Sequence, residues 1–181
     1  MPDALPPAAA PPLRIVVMGV AGSGKSVVGA QLAQRLALPL VDGDDFHPPA
    51  DIEKMRAGQR LTAEDRQAWL RRLAQQLAAP ASGAVLTCTA LRASDRDLLR
   101  AAGPNVRFVH LALTPHQALE RVAARTDHFY PPSLVAGDFE ALEDPAGEPH
   151  VHVLDATEHV DRIVEAALRW LGARTLALPG A

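Results

Sequence analysis

The sequence predicts an α/β protein whose five-stranded parallel sheet is covered by helices on both faces. Five short apolar segments, typical of buried strands, alternate along the chain with segments of helical apolar spacing. A glycine-rich stretch joins the first strand to the first helix. The chain has 181 residues, 48% of them hydrophobic, so we expect one domain with a substantial core.

The glycine-rich stretch, GVAGSGKS at residues 19–26, fits the phosphate-binding pattern G-x-x-x-x-G-K-[ST]. The apolar run at 13–18 predicts a strand before it, and apolar positions at helical spacing predict a helix over 27–36 after it. We expect the loop N–H groups to bind phosphate, Lys25 to reach the β- and γ-phosphates, and Ser26 to bind Mg²⁺. The loop residues are Gly19, Val20, Ala21, Gly22, Ser23, Gly24, Lys25 and Ser26.

Composition excludes several classes of protein. No apolar run approaches the roughly 20 residues of a membrane-spanning helix. The net charge of −3 argues against a general nucleic-acid-binding protein, and the single cysteine, Cys88, excludes an internal disulfide. No cationic segment followed by an apolar one opens the sequence, so no secretory signal is predicted. We therefore expect a cytoplasmic protein.

The chain is expected to divide into three parts. Residues 1–12 are rich in proline and alanine and predict a disordered tail. Residues 13–172 are expected to form the single α/β domain. Residues 173–181 predict a loose C-terminal tail.

Acidic residues follow the second predicted strand, residues 39–42. Ligands of α/β proteins bind at the carboxyl ends of strands, so the stretch DGDDFHP at 42–48 is a candidate site. Asp42 is expected to hold Mg²⁺ through water, and Asp44 to orient or deprotonate an attacking hydroxyl. A polar turn with helix caps is the alternative, but the neighbouring phosphate loop favours the functional interpretation.

The segment between the second and third strands predicts two helices and a pocket for the phosphoryl acceptor. A short helix is expected over 51–58, with Asp51 as its cap, and a longer one from a capping box at 62–65 to Ala78. Charged and aromatic residues are mixed here, although each alone is more often a surface charge or a core residue. They are Lys54, Arg60, Asp65, Arg66 and Trp69.

Arginines follow the third predicted strand, residues 84–88. Arg92, Arg96 and Arg100 are spaced by four, which predicts that they share one helix face. They form either a solvated stripe or, for the first two, a contact with an anion. Cys88 is expected to pack in the core, because no activating group accompanies it.

The last third of the chain predicts two more strands and a lid. Strands are expected over 105–111 and 151–155, and helices from Thr114 to about 124 and over 159–171. Prolines stiffen the loop after the first of these helices, and residues from about 121 to 140 are the candidate lid. Arg121 and Arg125 share a helix face, where they would either stabilise a transferring phosphoryl group or form surface ion pairs.

Taken together, these motifs make the chain resemble the gluconate kinases (gluconokinases) of the small phosphate-loop type, relatives of shikimate kinase and the nucleoside monophosphate kinases. The matching stretches include MGVAGSGKS at 18–26, DGDDFHP at 42–48, IEKM at 52–55, DR at 65–66, WL at 69–70, CTAL at 88–91 and HF at 128–129. The resemblance implies a three-layer P-loop kinase fold with strand one between strands three and four, and a homodimer. It also implies ATP- and Mg²⁺-dependent phosphorylation of D-gluconate to 6-phospho-D-gluconate, a step of carbohydrate acid catabolism.

Roles for residues of this chain follow from the resemblance and from the chemistry of gluconate. Lys25, Asp44, Arg121 and Arg125 would be catalytic. The carboxylate of gluconate would suit Arg66, Arg96 or both. The full set of expected substrate residues is Asp44, His47, Lys54, Arg66, Arg96 and His128.

Three stretches depart from the family pattern. The family's Leu-Lys-x-x-Tyr-Arg is LRASDR at 91–96, its Gly-His-Phe is DHF at 127–129, and its Ser-Gln-Phe is GDF at 137–139. Two alternatives stay open beside gluconate phosphorylation. One is a related small-molecule kinase with another polyol or acid acceptor, and the other is a catalytically impaired, nucleotide-binding regulatory protein.

Overall fold

Five parallel strands form one sheet, in the order β2-β3-β1-β4-β5. A computed structural model describes residues 11–172; residues 1–10 and 173–181, which hold most of the two predicted tails, lie outside the described residues. The central position of β1, between β3 and β4, confirms the predicted sheet order. The strands are β1 Leu13–Met18, β2 Leu40–Asp42, β3 Gly83–Thr87, β4 Arg107–Ala112 and β5 Val151–Asp155.

Helices connect the strands and cover both faces of the sheet. They are α1 Lys25–Leu36, α2 Pro49–Arg56, α3 Ala63–Ala78, α4 Ala93–Arg100, α5 Pro115–Ala123, α6 Val135–Ala141 and α7 Val160–Leu171, with 3₁₀ turns at Gly43–Phe46 and Pro132–Leu134. The predicted capping box of α3 is confirmed, because Thr62 and Asp65 each accept the other's backbone N–H. Among residues 11–172, no helix has both the length and the apolar character to cross a membrane.

Two helix predictions need correction. The helix predicted over 51–58 begins at Pro49, so Asp51 lies inside its first turn and is not its cap. Proline at the first helical position costs no hydrogen bond, which explains the earlier start. The short helix α6 was not predicted, because its seven residues are too few to show a clear apolar period.

The hydrophobic core has a layer on each face of the sheet. Alternate residues of β1 point to opposite faces, as the two-residue period of a strand requires. Ile15 and Val17 pack in the layer formed with α1 and α7, while Val16 and Met18 pack in the layer formed with α3 and α4. Both layers hold the carboxyl ends of the strands rigidly at one edge of the sheet.

A third, smaller apolar cluster lies at that edge. Val20 of the glycine loop packs there with Leu91, Val122 of α5 and Val135 of α6. This contact brings the chain between α5 and α6 over the carboxyl ends of β1 and β3. In open α/β sheets this edge is where ligands bind.

Candidate active site

A cleft of about 300 Å³ opens at the carboxyl ends of the strands. Its size lies at the lower end of the range for small-molecule pockets. The structure brings together there twelve residues predicted from the sequence as site candidates: Ala21, Lys25, Ser26, Asp42, Asp44, His47, Arg60, Arg66, Trp69, Arg92, Arg125 and His128. Residues 100 positions apart in the sequence therefore share one concave surface.

The glycine loop curls around one end of the cleft. Gly22 and Gly24 have φ angles of 83° and 89°, a left-handed conformation that glycine adopts without strain. Within residues 11–172, the N–H groups of Gly22 and Gly24 have no hydrogen-bond acceptor, and the Oγ of buried Ser23 has no partner either. Helix α1 begins directly after them at Lys25. Free donors beside a helix N-terminus fit a chain of phosphates.

Lys25 is the cation of this loop. Its Nζ donates to the carbonyl of Val20 over 3.0 Å. Burial lowers the pKa of Lys25 below its ordinary value, while the nearby carboxylates of Asp44 and Asp138 oppose that shift. The ammonium therefore lies within electrostatic reach of both carboxylates.

Oxygen atoms suited to a hard cation lie beside the loop. The Oγ of Ser26 donates to Oδ2 of Asp42 over 3.5 Å. The other oxygen of Asp42 accepts from Thr87 Oγ1 and from the N–H of Asp44, each over 3.1 Å, so its orientation is fixed. Hydroxyl and carboxylate oxygens fit Mg²⁺. The described residues hold no group of three acidic, histidine or cysteine side chains able to bind a metal.

Asp44 and His128 form a hydrogen-bonded pair in the cleft. The Nε2 of His128 lies 3.0 Å from Oδ2 of Asp44, and the Nδ1 of His128 accepts the backbone N–H of Tyr130 over 3.1 Å. Because Nδ1 is an acceptor, the neutral imidazole carries its hydrogen on Nε2, and Nε2–H donates a hydrogen bond to Oδ2 of Asp44.

The charge state of Asp44 follows from its surroundings. Burial alone would raise the pKa of Asp44, but the hydrogen bond from His128 and the charge of Lys25 outweigh burial and hold the pKa below its ordinary value. Asp44 is therefore a carboxylate at neutral pH, and its side chain is 45% exposed toward the cleft. An ionised, accessible carboxylate can accept a hydrogen bond from a substrate hydroxyl.

An aromatic wall stands beside Asp44. The ring of His47 stacks on Trp69 with centroids 4.3 Å apart, and burial lowers the pKa of His47, which favours the neutral imidazole. Trp69 is fixed by a 2.8 Å hydrogen bond from Nε1 to the carbonyl of Gly43. A Cβ at position 43 would lie 2.4 Å from the carbonyl oxygen of Thr87, so only glycine lets this turn approach β3 so closely.

The arginines predicted for the acceptor differ in their surroundings. Arg66 lines the cleft, and its Nε donates to Asp95 over 3.2 Å. Arg96 is fully buried outside the cleft, where its guanidinium donates to the carboxylate of Glu148 and to three backbone carbonyls. No donor of Arg96 remains for a substrate, so the predicted contact of Arg96 with gluconate does not fit this arrangement.

Lys54 and the predicted stripe of arginines also lie elsewhere than expected. The Nζ of Lys54 donates to Asp65 over 2.7 Å and ties α2 to the start of α3, and Lys54 does not line the cleft. Arg92 precedes α4 as its cap, so it does not share a helix face with Arg96 and Arg100. Cys88 is buried, and burial raises its pKa to about 12, which keeps it a neutral thiol.

The two arginines predicted for the lid have different partners. Arg125 is exposed and lines the cleft. Arg121 lies in α5 and donates to the carbonyls of Ala156, over 2.9 Å, and Gly22, over 3.4 Å. Arg121 therefore holds the glycine loop from outside the cleft, while Arg125 faces into it.

Known proteins share both the sequence and the fold. The family model described as "AAA domain" matches residues 15–143. A gluconokinase of Gluconobacter oxydans (strain 621H) is 40% identical over 162 residues, which are 87% of this chain and 90% of that protein. The thermoresistant gluconokinase of Escherichia coli (strain K12) is 36% identical over 157 residues, 84% of this chain and 90% of that one. The chain belongs to the gluconokinase family.

Solved structures agree with that membership. The crystal structure of a gluconokinase from Sinorhizobium meliloti 1021 superposes with a TM-score of 0.81 at 42% identity, covering 89% of this chain and 92% of that one. A shikimate kinase from Bacteroides thetaiotaomicron shares the fold alone, with a TM-score of 0.65 at 18% identity. The predicted resemblance to gluconokinases and the predicted P-loop kinase fold are both confirmed.

Tyr130 and Asp138 line the cleft of this gluconokinase-family chain, although neither was predicted as a site residue. The departures from the family pattern gave a signal for Asp138, which lies in the altered stretch 137–139. Tyr130 gave no such signal, because its place in the cleft depends on how distant segments pack. Arg60 and Arg92, which were predicted from the sequence as candidates for the acceptor pocket and for an anion contact, also line the cleft.

Proposed function

We propose that this protein transfers the γ-phosphoryl group of ATP to the 6-hydroxyl of D-gluconate, giving 6-phospho-D-gluconate and ADP. Membership of the gluconokinase family supports the reaction. The observation that carries the proposal is the Asp44–His128 pair, which faces the same cleft as Lys25 and Arg66. That cleft offers groups for a phosphate chain, for a hydroxyl and for a carboxylate.

The glycine loop is the proposed site of the ATP phosphates. The N–H groups of Gly22 and Gly24 donate to phosphate oxygens, and the ammonium of Lys25 contacts the β- and γ-phosphates. Ser26 would bind Mg²⁺ directly and Asp42 would hold it through water. Bound Mg²⁺ neutralises charge on the β- and γ-phosphates.

Asp44 acts on the acceptor. Its carboxylate accepts a hydrogen bond from the 6-hydroxyl and turns the hydroxyl oxygen toward the γ-phosphorus. A bond forms between that oxygen and phosphorus, the bond from phosphorus to the β–γ bridging oxygen breaks, and the hydroxyl proton passes to Asp44 and then to solvent. The low pKa of Asp44 makes orientation its larger contribution.

The rest of gluconate has partners along the cleft. Arg66 binds the carboxylate, while His47 and His128 bind hydroxyls. Arg60 and Arg92 add positive charge, which favours an anionic acceptor over a neutral one. Lys54 and Arg96 have structural partners and take no part in this proposal.

Residues from about 121 to 140 form the proposed lid. Arg125 reaches the cleft from this segment and would stabilise negative charge on the transferring phosphoryl group. Closure of such a segment excludes water from the reaction. We also propose that the protein is a cytoplasmic homodimer. Light scattering would measure the mass of the assembly.

A coupled assay of ADP release tests the proposed function. Mg-ATP is supplied with D-gluconate, shikimate, glucose or no acceptor. We expect ADP release with gluconate, a large loss in Lys25→Ala, and no loss in Arg72→Ala, a matched cation exposed on α3. Equal release with every acceptor, or with none present, would contradict the proposal.

A further inference from the structure

Asp138 is a buried carboxylate that joins three segments of the chain. It lies on α6 with 4% of its surface exposed. One oxygen accepts the backbone N–H of Ala21 in the glycine loop over 3.1 Å. The other accepts the hydroxyl of Tyr130, in the proposed lid. The glycine loop and the lid are therefore connected through one side chain.

Apolar packing surrounds this connection. Val20 and Ala21 of the loop are buried against Val122 and Val135, and Tyr130 packs on the same cluster. Burial of a hydrogen-bonded carboxylate makes its bonds costly to lose, because the donors left behind exchange a charged acceptor for a weaker one. Loss of the carboxylate would leave the Ala21 N–H without its acceptor and leave the Tyr130 hydroxyl with only its longer, 3.4 Å contact to the carbonyl of Leu134.

We propose that Asp138 is a positioning residue that couples the glycine loop to the lid, so that the loop is ordered for phosphate only when the lid lies over the cleft. The inference rests on the proposed function for its kinetic consequences. Asp138 touches neither the acceptor nor the reacting atoms in this proposal. It acts through Ala21 on the loop and through Tyr130 on the lid.

The coupling has a consequence for water. A loop that binds ATP while the lid stays open lets water attack the γ-phosphorus in place of the 6-hydroxyl. The connection through Asp138 makes ordering of the glycine loop depend on closure of the lid, which protects bound ATP from hydrolysis. The ratio of gluconate-dependent to gluconate-independent ADP release measures this protection.

Three variants separate the effect of the two hydrogen bonds of Asp138 from the effect of its negative charge. Asp138→Ala removes both hydrogen bonds. Asp138→Asn keeps both, because its amide oxygen can accept from Ala21 and its NH₂ can donate to the Tyr130 oxygen. Tyr130→Phe removes the bond from Tyr130 to Asp138, together with a longer, 3.4 Å bond from the same hydroxyl to the carbonyl of Leu134, and leaves the Ala21 bond in place. Glu140→Gln, an exposed carboxylate on the same helix, is the matched control.

The expected kinetic result is a graded loss of coupling. In Asp138→Ala the ratio of transfer to hydrolysis falls about tenfold or more, and in Tyr130→Phe it falls less, as loss of one or two buried hydrogen bonds implies. Asp138→Asn stays within a few fold of the parent, and Asp138→Ala/Tyr130→Phe is no worse than Asp138→Ala alone. An unchanged ratio in Asp138→Ala, or an equal fall in Asp138→Asn, would overturn the proposal.

Hydrogen–deuterium exchange tests the connection without catalysis. In the free protein, we expect faster exchange of peptides covering 124–142 in Asp138→Ala and Tyr130→Phe than in the parent and Glu140→Gln. Unchanged exchange there would contradict the connection. If the parent enzyme fails to phosphorylate gluconate while the two variants still exchange faster than the parent, the proposed function is refuted and the connection stays supported.

Discussion

The Nε2 of His128 lies 3.0 Å from Oδ2 of Asp44, although the two residues are 84 positions apart in the chain. Asp44 follows β2, whereas His128 lies between α5 and α6. The bond therefore joins the proposed lid to the carboxylate proposed to receive the acceptor hydroxyl. It also helps to lower the pKa of that carboxylate against the effect of burial.

Removal of His128 is expected to change the pH profile of the reaction. Asp44 has a lowered pKa, so it stays ionised until the pH falls below its ordinary value of 3.8. His128→Ala removes a cause of that lowering, and the pKa of Asp44 rises. The acid limb of kcat/KM then moves to higher pH. Profiles of kcat/KM against pH for the parent, His128→Ala and the exposed control His116→Ala measure this shift. An acid limb that stays in place in His128→Ala would contradict the role of His128 in lowering the pKa of Asp44.

Arg66 is expected to set the preference for an acid. Arg66→Ala should raise KM for gluconate about tenfold or more, since a charged hydrogen bond contributes about 1.5–3 kcal/mol. Its effect on a neutral polyol should be smaller, so the ratio of kcat/KM for the two acceptors falls. Arg72→Ala on the same helix provides the control. Equal losses for the acid and the neutral polyol would exclude Arg66 as the carboxylate partner.

Arg96 is expected to matter for stability and not for substrate binding. Its fully buried guanidinium is paired with Glu148, and removing one partner of a buried ion pair costs about 3–5 kcal/mol. Denaturant unfolding of Arg96→Met measures this loss. Glu148→Gln keeps a side-chain oxygen that can accept from Arg96 and should leave KM for gluconate unchanged in the folded fraction. A large rise of KM for gluconate in Glu148→Gln would contradict this assignment and indicate that Arg96 contributes to acceptor binding.

The same pair predicts sensitivity to acid. Hydrogen bonds from Arg96 lower the pKa of Glu148 below its ordinary value of 4.5. The stability that this pair contributes is fully present above that ordinary value and is lost as the pH falls through the lowered pKa. The melting temperatures of the parent and Glu148→Gln should therefore approach each other as the pH is lowered from neutral to acid. Melting temperatures that stay equally far apart at every pH would contradict the linkage.

Gly137 makes room for Arg60. A Cβ at position 137 would overlap Nη1 of Arg60, so the serine of the family pattern could not stand here without moving that arginine. We expect Gly137→Ser and Arg60→Ala to raise KM for gluconate by similar, few-fold factors. The double variant should be no worse than Arg60→Ala, because both remove one contact. Additive effects in this cycle would show that the two residues act separately.

Local patterns predicted the parts of the fold that depend on neighbours in sequence. The run at 13–18, the glycine motif and the helix after it gave β1, the loop and α1 nearly to the residue. Thr62 with Asp65, and Thr114 with Pro115, marked helix starts through chemistry that lies within one turn.

Contacts between distant segments could not be predicted in the same way. Spacing indicated that Arg92 and Arg96 share a face, but it could not tell which one is buried and paired with Glu148. Asp138 stood out as a departure from the family pattern, yet its partner Ala21 is 117 positions away. These contacts depend on packing across the sheet edge, which no periodicity records.

The most direct test of the proposed reaction is identification of its product by ³¹P and ¹³C NMR. The parent protein and Asp45→Asn, an exposed neighbouring control, are incubated with Mg-ATP and D-gluconate beside Asp44→Asn. We expect a phosphate ester on C6 of gluconate from the first two and a loss of at least about a hundredfold in Asp44→Asn, because the variant loses the charged acceptor that orients the hydroxyl and takes its proton. No ester, an ester on another carbon, or full activity in Asp44→Asn would contradict the proposal.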